Sequence, residues 1–253
     1  MFTTSALIAG AIAALVVGLS KTALPGAGLI ATPILATVTT GRALPGLTLP
    51  ILLTADLFAV WWYRRHARWD LLKPLTFFVG LGFAAGTAFF VAVGKSTRTL
   101  DISIGVIILV MVAAQVLRML RRSSPVEPTL AAAAGYGAAG GFTTFVSNTA
   151  GPVMNTFLVR LGLNKNEMVG TSAWFYFAVN LAKIPVYLAI GTWSSGGHFF
   201  SADSLRFDAL VVPAVLVGVF GGRKLFDKLP QGLFLGLVLV LSAAGALKLL
   251  LLP

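Results

Sequence analysis

Cysteine is absent from this 253-residue chain, which excludes disulfides and thiolate metal sites. Only two histidines occur, His66 and His198, far apart and each beside a charged or polar segment. No metal site and no cofactor is therefore expected, and an enzyme's nucleophile–base constellation is poorly supplied. A Gly-x-x-x-x-Gly-Lys-Ser/Thr loop is also lacking, so drive by ATP is not expected. Charge is scarce as well. Charged residues make up 11% of the chain, against roughly a quarter in soluble domains. Acidic residues number eight, and Asp56 alone stands deep in an apolar run, too few carboxylates for a typical cation carrier.

What is present is apolar: 57% of the residues are hydrophobic. A soluble globule of this size could not hide that surface, whereas the runs recur near the ~20 residues that a helix needs to cross a bilayer. Apolar segments are expected at about 4–20, 27–38, 44–63, 71–93 and 100–120, then at about 130–146, 153–162, 167–190, 207–222 and 231–251. The first lacks a basic leader region and an Ala-x-Ala cleavage site and is read as a retained span. The net charge of +11 sits in short loops between these runs, as the positive-inside bias predicts, so nucleic acid is not the expected partner.

Two halves emerge, 1–122 and 130–253, joined by a linker at 123–129. Asp56 and Asn180 lie 124 positions apart, as do Tyr63 and Tyr187, Gly46 and Gly170, and Thr48 and Ser172. Gly82-x-x-x-Gly86 answers Gly218-x-x-x-Gly222 at 136, the small-residue spacing that lets helices pack closely in lipid. Lys and Arg cluster in three loops, at 64–73, 118–122 and 223–228, and none occurs in 191–205. The first three are expected in the cytoplasm and the last outside. An odd number of crossings then separates the linker from loop 191–205, which turns the halves upside down relative to each other. Both termini would be periplasmic. The scheme sits awkwardly with Lys95 and Arg98, which it places outside.

The fold expected is an all-α polytopic membrane protein of two inverted-topology repeats. Each has a broken or re-entrant helical hairpin followed by three spanning helices. In such folds the substrate meets interrupted helices near the midplane. Here the interruptions are Ser20-Lys21-Thr22-Ala23-Leu24-Pro25-Gly26 and Ser147-Asn148-Thr149-Ala150-Gly151-Pro152. Helix N-termini with free N–H groups attract anions, and Lys21 adds a full charge. Candidate substrate contacts are Ser20, Lys21, Thr22, Pro25, Gly26, Ser147, Asn148, Thr149, Gly151, Asn180 and Lys183. Lys183 follows Asn180 at i+3, on one helix face. Asp56 is read as a proton carrier or as the ion-pair partner of Lys21 or Lys183. Tyr63, Tyr187, Trp61, Trp62 and Trp174 read as interfacial belt residues.

At these residues the chain resembles the sulfite exporter TauE/SafE family of membrane transporters. The matching stretches are Gly18-Leu19-Ser20-Lys21-Thr22-Ala23-Leu24-Pro25-Gly26-Ala27-Gly28, Leu49-Pro50 through Asp56 to Tyr63-Arg64-Arg65-His66, Ser147 to Pro152, and Val169-Gly170-Thr171-Ser172-Ala173-Trp174 through Asn180 to Lys183. The Gly/Ser-rich stretch 191–205 departs from the pattern. The resemblance implies export of sulfite or an organosulfonate such as sulfoacetate across a bacterial inner membrane. The expected partners are a small anionic substrate and the lipid bilayer, with a homodimer left open. A proton- or sodium-coupled importer of a small organic anion and a non-transporting membrane assembly protein are the alternatives.

Overall fold

The computed structural model describes residues 2–22, 27–93, 96–120, 129–193, 198–225 and 231–251. Ten α-helices follow one another among these residues: α1 (Thr4–Thr22), α2 (Ala31–Leu35), α3 (Ala43–Tyr63), α4 (Trp69–Val93), α5 (Thr97–Leu120), α6 (Leu130–Ser147), α7 (Gly151–Arg160), α8 (Lys165–Trp193), α9 (Ala202–Leu225) and α10 (Gln231–Leu251). No strand occurs among the described residues. Among the described residues, six helices are long and apolar enough to cross a membrane: α1, α3, α4, α5, α8 and α9. At 1.5 Å per residue, the 19 residues of α1 reach roughly the thickness of the hydrocarbon layer.

Side-chain placement inverts the soluble pattern. Phe77, Leu210, Val217 and Leu57 are more than half exposed around the bundle, whereas Asp56 and Lys183 are wholly enclosed within it. Lipid can solvate the first set, and only protein partners can satisfy the second. The chain is a multi-pass membrane protein.

Helix starts follow local chemistry. Asn164 and Glu167 cap α8 reciprocally: the Glu167 N–H donates to Asn164 Oδ1 at 3.0 Å and the Asn164 N–H to Glu167 Oε2 at 3.2 Å. Ser201 and Ser204 do the same for α9, at 2.9 and 3.0 Å. The second cap shortens the expected loop 191–205: helix α8 continues to Trp193 and α9 begins at Ala202, so both ends of that stretch are helical. Phe199, between them, turns inward, stacks on Tyr187 at 4.2 Å and is 1% exposed. Tyr187 is thus no belt residue: it is fully buried and donates to the Phe145 carbonyl at 2.8 Å. Arg98 also finds a structural reason for its place. Its guanidinium donates to the Leu249 and Leu250 carbonyls at the end of α10, where a cation complements the helix dipole. Lys95 lies outside the described residues.

Glycines set the closest helix crossings. A Cβ on Gly82 would overlap the Ala138 carbonyl, and one on Gly141 the Val79 carbonyl, where α4 meets α6. Likewise Gly218 abuts the Leu15 carbonyl and Gly18 the Val215 carbonyl, where α9 meets α1. Helices α3 and α8 run antiparallel, Gly46 lying against Phe199 just beyond α8 and Gly170 of α8 against Tyr63. Helices α5 and α10 are antiparallel too, Gly105 meeting Ala246 while Arg98 meets Leu249.

Gly82→Leu should therefore cost about 1–3 kcal/mol or more by overpacking against backbone. Gly80→Leu, where nothing stands within 4 Å of an added Cβ, should be neutral. Thermal melting and monodispersity in detergent measure both, and equal losses would contradict the packing described.

Candidate functional site

Four broken or crossing segments meet at one place. Helix α1 ends at Thr22, which puts Lys21 in its last turn, next to the interruption. Helix α6 ends because Asn148 adopts a left-handed conformation (φ 57°), which few residues other than Gly, Asn and Asp adopt readily. The Asn148 N–H bonds Thr144 O at 3.1 Å and the Thr149 N–H bonds Thr143 O at 3.4 Å, which closes the helix end and leaves Ala150-Gly151-Pro152 to start α7. Between these two ends pass α3 and α8, carrying Asp56 and Asn180.

A continuous polar network joins the four. Lys21 Nζ pairs with Asp56 Oδ1 at 2.7 Å. Asn180 Nδ2 donates to Asp56 Oδ2 at 2.7 Å. Lys183 Nζ donates to Asn180 Oδ1 at 2.8 Å, Asn148 Oδ1 at 2.6 Å and Thr144 Oγ1 at 2.9 Å. Three acceptor oxygens match the three N–H bonds of an ammonium. Lysine has only donors, so it also fixes both asparagine amides: their carbonyls face Lys183 and their NH2 groups face away. Asn180 spends its NH2 group on Asp56, and Asn148 points its own toward the Pro45 carbonyl at 3.5 Å. The Lys21 ammonium also lies 4.0 Å from the centroid of the Tyr176 ring, a cation–π contact that helps hold a charge away from water.

Beside this network is a cavity of about 60 Å³. A bound water needs roughly 10–15 Å³ on this measure, so the space suits a few waters or one small oxyanion. Its polar lining is Ser20, Lys21, Thr144, Asn148, Thr149, Asn155, Ser172, Tyr176 and Asn180. Three of these bring buried polar atoms without a hydrogen-bond partner: Asn155 Oδ1, Ser172 Oγ and Tyr176 OH.

Of the residues expected from sequence, Ser20, Lys21, Asn148, Thr149, Gly151 and Asn180 line this cavity. Asp56 stands immediately behind Lys21. Thr22, Ser147 and Lys183 are elsewhere. The Thr22 hydroxyl faces the Gly18 and Val219 carbonyls and ties α1 to α9. Ser147 is taken up by Thr143, Thr149 and, through its carbonyl, Thr32. Lys183 is not in the lining; its ammonium bonds three residues that are, Asn180, Asn148 and Thr144. Pro25 and Gly26 lie outside the described residues. Asn155 and Tyr176 were not foreseen, and Ser172 only as one of the repeat matches. Helical periodicity carried the signal for the α8 pair, since Ser172, Tyr176 and Asn180 follow at i, i+4, i+8 along one face.

A small polar pocket with a lysine in its wall, set among interrupted membrane helices, suits a solute carrier. The family model described as "Sulfite exporter TauE/SafE" matches residues 10–249, nearly the whole chain, and this protein belongs to that family of membrane transporters. No curated protein and no solved structure matches the chain.

Lys21 and Asp56 are 11% and 0% exposed, so neither has water to fall back on. Asp56→Ala should destabilise by about 3–5 kcal/mol, the usual cost of orphaning a buried charge. Adding Lys21→Met to it should recover most of that loss. Denaturation in detergent checks the pair, and additive losses would show that the two do not couple.

Proposed function

We propose that this protein is a secondary transporter that exports a small oxyanion, sulfite or a compact organosulfonate, from the cytoplasm of a bacterial cell across its inner membrane. The observation that carries the proposal is the cavity at the meeting point of the two helix interruptions, with Lys21 in its wall and room for one small anion. Its volume favours sulfite over a longer solute such as sulfoacetate. Charge agrees, since Lys21 brings an ammonium to the cavity wall and its acidic partner, Asp56, stands behind it. In the empty protein Asp56 keeps Lys21 satisfied; an arriving anion competes for the ammonium.

The transporter works, in this reading, as two inverted repeats over 1–122 and 130–253, linked through the cytoplasmic segment 123–129. Glycine contacts support the repeat. Gly82 against Ala138 is answered by Gly218 against Leu15, and Gly141 against Val79 by Gly18 against Val215. One offset of 136 and one of 123 relate all four pairs. Inversion draws support from the matched pairs α3/α8 and α5/α10, each antiparallel, as two copies related by an axis in the membrane plane require. Asn180 donates to Asp56 where α3 and α8 cross, and these two are themselves matched positions. The same offset of 123 sets Lys21 against Thr144, so the second copy has lost that lysine and reaches the equivalent place with Lys183.

Each hairpin packs on a helix of the opposite half, α1 on α9 and α6 on α4. Rocking of one such group against the other exposes the cavity to one side at a time. An inside-negative potential drives an anion outward by about 2.3 kcal/mol per charge per 100 mV, so export needs no coupled ion.

In proteoliposomes, Lys21→Met combined with Asp56→Asn leaves no orphaned charge and should reduce sulfite efflux at least tenfold. Efflux equal to wild type, from protein with an unchanged melting temperature, would remove Lys21 from the anion site.

A further inference from the structure

On the proposed reading, the lysine supplies charge to the ligand, but a lone ammonium has no directional preference. A chloride ion would satisfy it as well as an oxyanion. The orphaned polar atoms carry the direction. Ser172 Oγ and Tyr176 OH stand one turn apart on α8, each buried and without a partner, and both line the cavity with Lys21. Asn155, 2% exposed on α7, lines it from another helix and is likewise unpartnered through Oδ1. Folded proteins seldom leave such groups unpaired. The two hydroxyls, side by side in one cavity of about 60 Å³ and able to donate, point to an acceptor ligand rather than to a packing fault.

We infer that Ser172 and Tyr176, whose unpartnered hydroxyls can donate, form the neutral, directional half of the anion site and select a multi-oxygen anion over a halide. This assignment rests on the transporter reading above. Tyr176 has two tasks: its ring holds the Lys21 ammonium at 4.0 Å and its hydroxyl reaches the ligand. Lys183 differs in kind, because its three bonds are spent on Asn180, Asn148 and Thr144. It is a positioning residue that orients amides and does not touch the solute.

The test separates a ligand-facing hydroxyl from a structural one. Purified full-length protein is titrated with sulfite and with bromide, reading both affinity and melting temperature for wild type, Tyr176→Phe, Ser172→Ala and Lys21→Met/Asp56→Asn. Phenylalanine keeps the ring on Lys21 and deletes only the unpartnered hydroxyl. Tyr176→Phe and Ser172→Ala should each melt at or above the wild-type temperature without ligand, since an orphaned buried group has been removed. Both should bind sulfite about tenfold or more weakly, as expected for loss of a hydrogen bond to a charged partner, with bromide affinity unchanged. The sulfite-induced rise in melting temperature should shrink accordingly.

Unchanged sulfite affinity in both single variants, alongside lost affinity in the Lys21 variant, would overturn the assignment and leave the transporter reading standing. A fall in ligand-free melting temperature with unchanged affinity would overturn it also, by showing that the hydroxyls are structural. Wild-type protein that binds neither anion would bring down the parent reading itself, and this assignment with it.

Discussion

A charge held inside a membrane needs a partner, and this structure is arranged around that need. Lys21 and Asp56 meet at 2.7 Å between α1 and α3, and Asn180 and Lys183 extend the contact to α8 and to the end of α6. Removing any member leaves a polar group that lipid cannot satisfy. The helix interruptions follow from the same constraint. A helix that ends inside a bundle exposes unpaired backbone groups, and this is tolerated only where protein or a wet cavity receives them. At α6 the left-handed Asn148 both ends the helix and accepts a hydrogen bond from Lys183 at its side-chain oxygen, so one residue answers both requirements.

Strength in this network is balanced against exchange. A buried ion pair whose Coulombic gain barely offsets desolvation is a poor source of stability. It is well suited to yielding one partner to an incoming anion. Rigidity is assigned elsewhere, to the close glycine crossings of α1 with α9 and α4 with α6, and to the aromatic cluster of Phe90, Phe145, Tyr187 and Phe199. Tyr187 follows Lys183 by one turn on α8, while the cavity-lining residues of that helix, Val169 to Asn180, all precede it. The aromatic packing and the cavity thus occupy opposite sides of the polar network.

Much of this was legible in the residues. Apolar runs of about 20 residues and the breaks at Ser20–Gly26 and Ser147–Pro152 mark the spans and the interruptions, because lipid imposes length and composition directly on a helix. Lys21, Asn148 and Asn180 stood out as polar residues at or within apolar runs. Other features needed three dimensions. Tyr187 reads as an interfacial residue until the inward turn of Phe199 covers it. The Gly/Ser composition of 191–205 hides the Ser201–Ser204 cap that starts α9. Ser172 and Tyr176 share a helix face with Asn180, but that they and Asn155 bring unpartnered atoms to one cavity is visible only in three dimensions. Lys183 reads as a substrate contact from its place one turn beyond Asn180, and in three dimensions its ammonium bonds Asn180, Asn148 and Thr144.

The most direct measurement of the central claim is anomalous diffraction from crystals of the full chain grown with selenite, the selenium analogue of sulfite. A single selenium peak is expected in the cavity between Lys21 and the Asn148–Gly151 turn, with the Lys21–Asp56 distance lengthened. A cavity free of selenium with the Lys21–Asp56 pair intact, and a peak elsewhere in the molecule, would contradict the account.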